Sequence, residues 1–506
     1  MQLLQPQGWD FNLCITPTYL TLSLFISFTS AFPSASLESM EMDASSADDG
    51  RIRTGTVWTA TAHAFTSTVG SGILALPWSV AQLGWILGPF FLVFFAAVSY
   101  YIAILLCDCY RTPDPVKGRR NYTYMDAVRA LLGPKHVLIS GIMQYSVLWG
   151  IMIGFTITAA ISTATLKRSA CFHEKEANAK CEVSGNSYMI AFGALEILLS
   201  QFPNLEKVTF LSVIATLTSL AYALIALCLS IAKFSIQNEA KGTIMVAMAG
   251  EGLATSTKIW QVFQALGNIA FSYTYSMLLL EIQDTLKSPP AENKAMKRVT
   301  LYAIGGTALF YTSLGCMGYV AFGADVPGNY LTGFYKPLWL ADITNLAVII
   351  HLIVGYQLYD QVFAQTIFAK NEKSLPTRWQ VHGSFFNKIY TARFQYRKQD
   401  YSFQFTPSRF LLRTGFVIFT TLVAMLFPFF NAILGLLGAI SFWPLTVYFP
   451  LKMYMVQANI KRGNSTWMMF QVLSLLCLVV SLVSAIGSVA DMLEHLKHAQ
   501  LFHVKL

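Results

Sequence analysis

Long apolar runs separated by short polar connections fill most of the chain. Eleven read as membrane spans: 54–83, 88–108, 136–163, 187–203, 206–232, 259–280, 300–322, 338–368, 409–429, 431–456 and 466–490. Pro203-Asn204 separates the fourth from the fifth, and Phe427-Pro428-Phe429-Phe430-Asn431 marks the turn between the ninth and tenth. The pattern predicts an all-α polytopic membrane protein.

Two spans are interrupted. Val69-Gly70-Ser71-Gly72-Ile73 breaks the first, and Ala265-Leu266-Gly267-Asn268, followed by Ser272-Tyr273-Thr274-Tyr275-Ser276, breaks the sixth. A helix in lipid must satisfy its backbone internally, because each orphaned group costs several kcal/mol. Glycine pairs at such places either let helices pack closely or let the backbone unwind beside a protein-lined cavity. One interruption leaves both readings open. Two, at matching places in the two halves, are the mark of a secondary transporter.

Composition narrows the picture further. The 506 residues are 55% hydrophobic and only 12% charged, with 37 Phe and 23 Tyr. A soluble chain carries about twice that charge fraction. The net charge of +9 does not point to nucleic acid, because the basic residues sit in short connections between spans. No His-rich metal cluster, nucleophile elbow or phosphate loop suggests an enzyme, and no ring of charge suggests a channel.

Those basic residues set an expected orientation. Arg111, Lys117, Arg119, Arg120, Arg129 and Lys135 share one connection, and Lys287, Lys294, Lys297 and Arg298 share another. The stretch from Lys370 to Arg409 is more basic still, whereas in the 164–186 connection Glu174, Glu176 and Glu182 offset the lysines. The bias places the N-terminus in the cytoplasm and, after an odd number of spans, the C-terminus outside. Cys171 and Cys181 then share an external loop and are expected to form a disulfide.

The N-terminal 50 residues stand apart. Phe11 to Ala31 is moderately apolar but is interrupted by Pro17 and lacks a basic flank, so it makes a poor signal peptide. Residues 1–50 read as a variable cytoplasmic segment in which 1–39 are dispensable or mis-started. Residues 51–456 read as a ten-helix core, and 457–506 as an eleventh helix and tail.

Several blocks resemble plant amino acid permeases of the amino acid/auxin permease family. They are Arg53-Thr54-Gly55-Thr56-Val57-Trp58-Thr59-Ala60 leading into Gly70-Ser71-Gly72, Ala81-Gln82-Leu83-Gly84-Trp85, and Arg120-Asn121-Tyr122-Thr123-Tyr124-Met125-Asp126-Ala127-Val128. Further blocks are Ala194 to Gln201, Glu281-Ile282-Gln283-Asp284-Thr285, and Phe442-Trp443-Pro444-Leu445-Thr446-Val447-Tyr448-Phe449-Pro450. The resemblance runs over about residues 42 to 500. It implies a five-plus-five inverted repeat with one extra C-terminal helix. It also implies proton-coupled import of amino acids, neutral and of broad range, across the plasma membrane. No cofactor is expected beyond the co-transported proton, and the partners are the substrate and membrane lipid. Two departures keep a second reading open, a non-transporting amino acid sensor on the same scaffold. Asn268 stands where many members carry Asp, and Tyr356 to Phe363 lacks the proline usual there.

An amino acid needs a site with a positive and a negative pole. A half-helix starting at Ile73 turns its free N–H groups and its dipole to the carboxylate. Carbonyls around Val69 and Gly267, helped by Ser272, are expected to accept from the ammonium. Phe271 and Tyr145 are candidate apolar walls, though aromatics in a bundle also serve plain packing. For proton coupling, helical spacing puts His63 on a stripe with Ser67 and Gly70. The alternative is a neutral His bonded to a neighbouring helix. In the eighth span Asp342, Tyr356 and Asp360 share one face, with His351 opposite; either carboxylate is a relay or is satisfied within the bundle. Glu196 sits alone in the fourth span, while Glu281 and Asp284 sit at the cytoplasmic edge of the sixth.

Overall fold

A computed structural model describes residues 53–174, 184–201, 209–244, 255–334, 337–374, 390–396, 399–405 and 407–498. The N-terminal segment 1–52 and Cys181 lie outside the described residues, as does the side chain of Asp360. The described chain is a bundle of helices with two short hairpins.

In chain order, α1 covers Val57–Thr68 and, after a break and a 3₁₀ turn over Ser71–Ala75, α2 runs Leu76–Cys107. A two-stranded hairpin, β1 (Arg111–Thr112) and β2 (Arg119–Arg120), leads to the short α3 (Tyr124–Leu132) and the long α4 (Pro134–Glu174). Next come α5 (Gly185–Ser200), α6 (Thr209–Gln237), α7 (Thr255–Ser272), α8 (Ser276–Gln283) and α9 (Glu292–Phe322). Then follow α10 (Leu338–Ser374), the hairpin β3 (Tyr390–Tyr396) and β4 (Gln399–Phe405), and α11 (Pro407–Leu426). The last helices are α12 (Phe430–Ser441), joined by a π turn over Phe442–Tyr448 to α13 (Phe449–Gln457), and α14 (Ser465–His498).

Seven described helices are long and apolar enough to cross a membrane. The remaining expected spans take other shapes. The first and sixth are broken, the fourth is the short α5, and Phe410–Leu426 is a shorter apolar helix. The first and second spans join at Gly84, whose φ of 77° kinks the chain between two helical runs, and the next amide, Trp85 N–H, donates to Thr243 O at 3.1 Å. That left-handed conformation suits glycine, which has no Cβ to crowd the backbone.

Burial sorts the helices. In α4 and in the α12–α13 segment, 78% of the apolar window is buried, so both belong to the centre. In α14 only 28% is buried, so it lies at the rim. Its outward face carries Val472, Leu475, Val479, Leu482 and Ile486, while Ser481, Ser484, Ser488 and Asp491 turn inward. An apolar face turned out and a polar face turned in reverse the pattern of a surface helix in water, and fit a helix facing lipid.

The β3–β4 hairpin lies in the connection between the eighth and ninth spans. Tyr396 pairs with Gln399 at the turn and Tyr390 with Phe405 at the open end. Its signal in the sequence is alternation at period two, with Tyr390, Ala392, Phe394 and Tyr396 in one strand and Tyr401, Phe403 and Phe405 in the other.

Candidate functional site

The first break begins where α1 loses its ladder. Thr56 and Thr59 cap the helix start reciprocally, through the Thr56 N–H to Thr59 Oγ1 at 2.8 Å and the Thr59 N–H to Thr56 Oγ1 at 3.2 Å. At the other end Val69 and Gly70 leave helical geometry before the 3₁₀ turn. Two freed carbonyls are held by tyrosines from other helices. The Tyr311 hydroxyl in α9 donates to Thr68 O at 2.7 Å, and that of Tyr222 in α6 donates to Gly70 O at 3.1 Å. The amides of Ser71 and Gly72 open a new helical segment, where no preceding turn supplies acceptors.

The second break differs from the expectation in position. Gly267 and Asn268 lie within the regular helix α7, and the chain departs from it at Tyr273-Thr274-Tyr275. Gly267 takes the packing role. A Cβ there would sit 2.4 Å from Gly435 O, and a Cβ on Gly438 would meet Gly267 O. Glycines on both sides bring α7 and α12 to backbone contact, so the carbonyl of Gly267 is not freed by unwinding. At the break itself, Ser272 Oγ donates to Asn268 O at 3.0 Å and Thr274 Oγ1 to Ala270 O at 3.1 Å. Thr274 also reaches Ser441 Oγ at 3.2 Å, and Tyr275 OH reaches Thr300 Oγ1 at 3.0 Å.

The two interrupted spans meet at Gly72. A Cβ on that residue would lie 3.0 Å from Ser272 Oγ and 3.1 Å from Phe271 Cδ1. Val69, Ser71 and Ile73 are buried beside it, as is Ser272, while Phe271 is half-buried. Asn268, one turn back from Ser272, is fully buried, and neither side-chain atom has a hydrogen-bond partner among the described residues.

Other expected residues stand elsewhere. Tyr145 is half-buried on α4, one turn from Trp149, which packs on Phe416 and Phe419 of α11. His63 is exposed, off the buried stripe of Ala60, Thr61 and Ala64, and its carbonyl accepts from Ser67 Oγ. Asp342 accepts from Ser169 Oγ at 2.8 Å through Oδ2, and its buried Oδ1 is unpaired among the described residues. His351 Nδ1 lies 3.1 Å from Ala215 O, and Tyr356 OH lies 2.7 Å from Thr420 Oγ1. Glu196 is buried and accepts from Gln357 Nε2 at 2.5 Å.

The end of the bundle that carries the basic connections is closed by ion pairs. Arg53 meets Asp284 at 2.8 Å with both side chains largely buried, and Tyr110 OH donates to the same carboxylate at 2.6 Å. Gly55 exchanges backbone bonds with Thr285 and Lys287, tying the start of the first span to the end of the sixth. Arg111 and Arg120 converge on Glu292, and Lys297 pairs with Asp108. Tyr124 brings three sequence blocks together. Its N–H donates to Glu281 Oε1 at 3.2 Å, and its hydroxyl donates to Leu445 O, in the π turn, at 2.7 Å.

No motif in the sequence marks Tyr222 or Tyr311 for these roles. The available signal was a tyrosine in an apolar span, whose hydroxyl needs a buried acceptor. Which acceptor it finds is a tertiary fact.

Comparison with known proteins follows the same outline. Residues 53–494 match the family model described as transmembrane amino acid transporter protein. Amino acid permease 2 of Arabidopsis thaliana is 49% identical over 86% of this chain and 87% of that protein. Amino acid permease 4 of the same plant is 48% identical over 86% of this chain and 92% of its own length. Among solved structures, MhsT in complex with L-phenylalanine aligns with 87% of this chain and 100% of its own at a TM-score of 0.50. At 10% identity that likeness shows the fold alone.

Proposed function

The chain belongs to the transmembrane amino acid transporter family, and on that premise we propose that it is a proton-coupled symporter importing neutral amino acids of broad range across the plasma membrane. The relatives are named permeases, so the family is one of transporters and not of enzymes. The observation that carries the reading is the approach of the two interrupted spans at Gly72, against Ser272 and Phe271. It sets helix-opening amides beside the Ser272 hydroxyl, donors for a carboxylate next to an acceptor for an ammonium. The ion-paired end, with Arg53, Arg111, Arg120 and Lys297, is the cytoplasmic one in this reading. The proton passes through an ionisable group within the spans, with His63, Asp342 and Asp360 as candidates. The unpaired Oδ1 of Asp342 supports that residue.

The test is electrical. Neutral amino acids applied to expressing oocytes should evoke inward current that grows as the external medium is acidified and does not need sodium. Sodium dependence would overturn proton coupling. Specific binding with neither current nor labelled uptake would favour a sensor.

A further inference from the structure

A second polar site lies away from the paired breaks, at the end of the bundle opposite the ion-paired closure. A cavity of about 360 Å³ is lined there by α2, α7, the α9–α10 connection, α12 and α14. Asp491, on the inward face of α14, is 5% exposed. Its Oδ2 accepts from Gln264 Nε2 of α7 at 3.0 Å and lies 3.6 Å from His495 Nε2. His495 is itself more than half exposed and stacks on Phe429 at 5.3 Å.

The cavity presents acceptors that the fold leaves unused. Gln264 is fully buried, and its Oε1 has no partner among the described residues; the same holds for Asn431 Oδ1. Just below, the fully buried Ser488 Oγ is unpaired and crowds Gly435. Asp491 and His495 are the titratable residues among those lining the cavity, and no Lys or Arg is among them. The Asp491 carboxylate thus faces the cavity with His495 as its one basic neighbour among the lining residues. Buried acceptors without donors are costly in a finished structure and natural in a site awaiting a ligand that brings them. Trp78 and Phe430 complete the wall with aromatic faces, which also attract cations.

We propose that this cavity is a recognition site for an ammonium group, occupied by an amino acid before it reaches the paired breaks. Asp491 supplies the charge, Gln264 fixes that carboxylate through its amide, and the unpaired oxygens of Gln264 and Asn431 accept the remaining ammonium hydrogens. The eleventh span thereby contributes to substrate capture from outside the ten-helix core. The inference rests on the transport reading and on its orientation, which makes this end extracellular.

The test uses full-length protein at the cell surface. Asn431→Cys places a thiol in the cavity, and cationic and anionic methanethiosulfonate reagents are applied from outside. The cationic reagent should react about tenfold faster, and Asp491→Asn should abolish that preference. Alanine should protect the thiol and propionate, which lacks the ammonium, should not. If Asn431→Cys fails to reach the surface, Gly328→Cys reports on the same cavity. Equal rates for the two reagents, a preference that survives Asp491→Asn, or no labelling at all would overturn the proposal. In uptake assays Asp491→Asn should raise KM for alanine about tenfold, with a smaller fall in maximal rate. Alanine uptake with an unchanged KM defeats this inference alone. A wild type that moves no amino acid defeats the transport reading and leaves the thiol result to stand by itself.

Discussion

The hydroxyl of Tyr311 in the seventh span donates to the carbonyl of Thr68 at the first break, at 2.7 Å. Together with Tyr222 on Gly70, it answers the cost of an open backbone within a membrane. The break is thus held open by its neighbours.

Thr68 O also accepts from Gly70 N–H at 3.1 Å, so Tyr311→Phe removes one of its two donors, a change costing about 0.5–1.5 kcal/mol. The expected result is a lower melting temperature of purified protein and a large drop in uptake per surface molecule. Wild-type values in both assays would mean that Thr68 needs no such partner.

The two glycines of the first break should behave differently. A Cβ on Gly70 meets nothing within 4 Å, whereas one on Gly72 meets Ser272 and Phe271. Gly70→Ala should keep most uptake. Gly72→Val should abolish it with the protein still at the surface, because a β-branched side chain fills the place where the spans meet. Labelled uptake normalised to surface biotinylation compares them, and equal effects would remove Gly72 from the site.

Asn268 is buried with both polar ends unpaired among the described residues. Such a residue costs about 1–3 kcal/mol relative to a satisfied or apolar one. Asn268→Leu should therefore raise thermal stability and lower uptake together, the trade expected of a functional polar group. A more stable variant with intact transport would make Asn268 dispensable.

Asp284 holds both Arg53 and Tyr110 at the ion-paired closure. Asp284→Ala takes the carboxylate from a largely buried guanidinium, whose Nε keeps its bond to the backbone carbonyl of that residue, and breaking a buried pair from one side costs about 3–5 kcal/mol. The double variant Arg53→Ala/Asp284→Ala should recover part of that loss. Melting temperatures of the four proteins in a double-mutant cycle measure the coupling, and strict additivity would show none.

Much of this arrangement is legible in the chain. Apolar runs locate the spans, and Gly70-Ser71-Gly72 locates the first break, because glycine frees the backbone at that very residue. The sixth span misleads, since its glycine and its break are separate features. Gly267 answers to Gly435 and Gly438 across a helix crossing, and the chain opens instead at Tyr273–Tyr275. No single-sequence pattern separates a glycine that packs from one that unwinds. His63 shows the same limit. Helical spacing gives it a stripe, but only the neighbouring helices decide that the stripe is off the buried face.

The π turn at Phe442–Tyr448 has a mechanical side. Pro444 has no N–H to donate, and the wide turn offers Leu445 O to Tyr124 of α3. A π turn is a helix carrying one surplus residue, and passing that residue along the helix swivels the stretch it crosses by about 100°. Tyr124 is bonded to Leu445 on one side and to Glu281 of the sixth span on the other. A swivel in the tenth span would therefore be felt at the end of the sixth, as a crankshaft transmits rotation to a rod fixed at a distance from its axis.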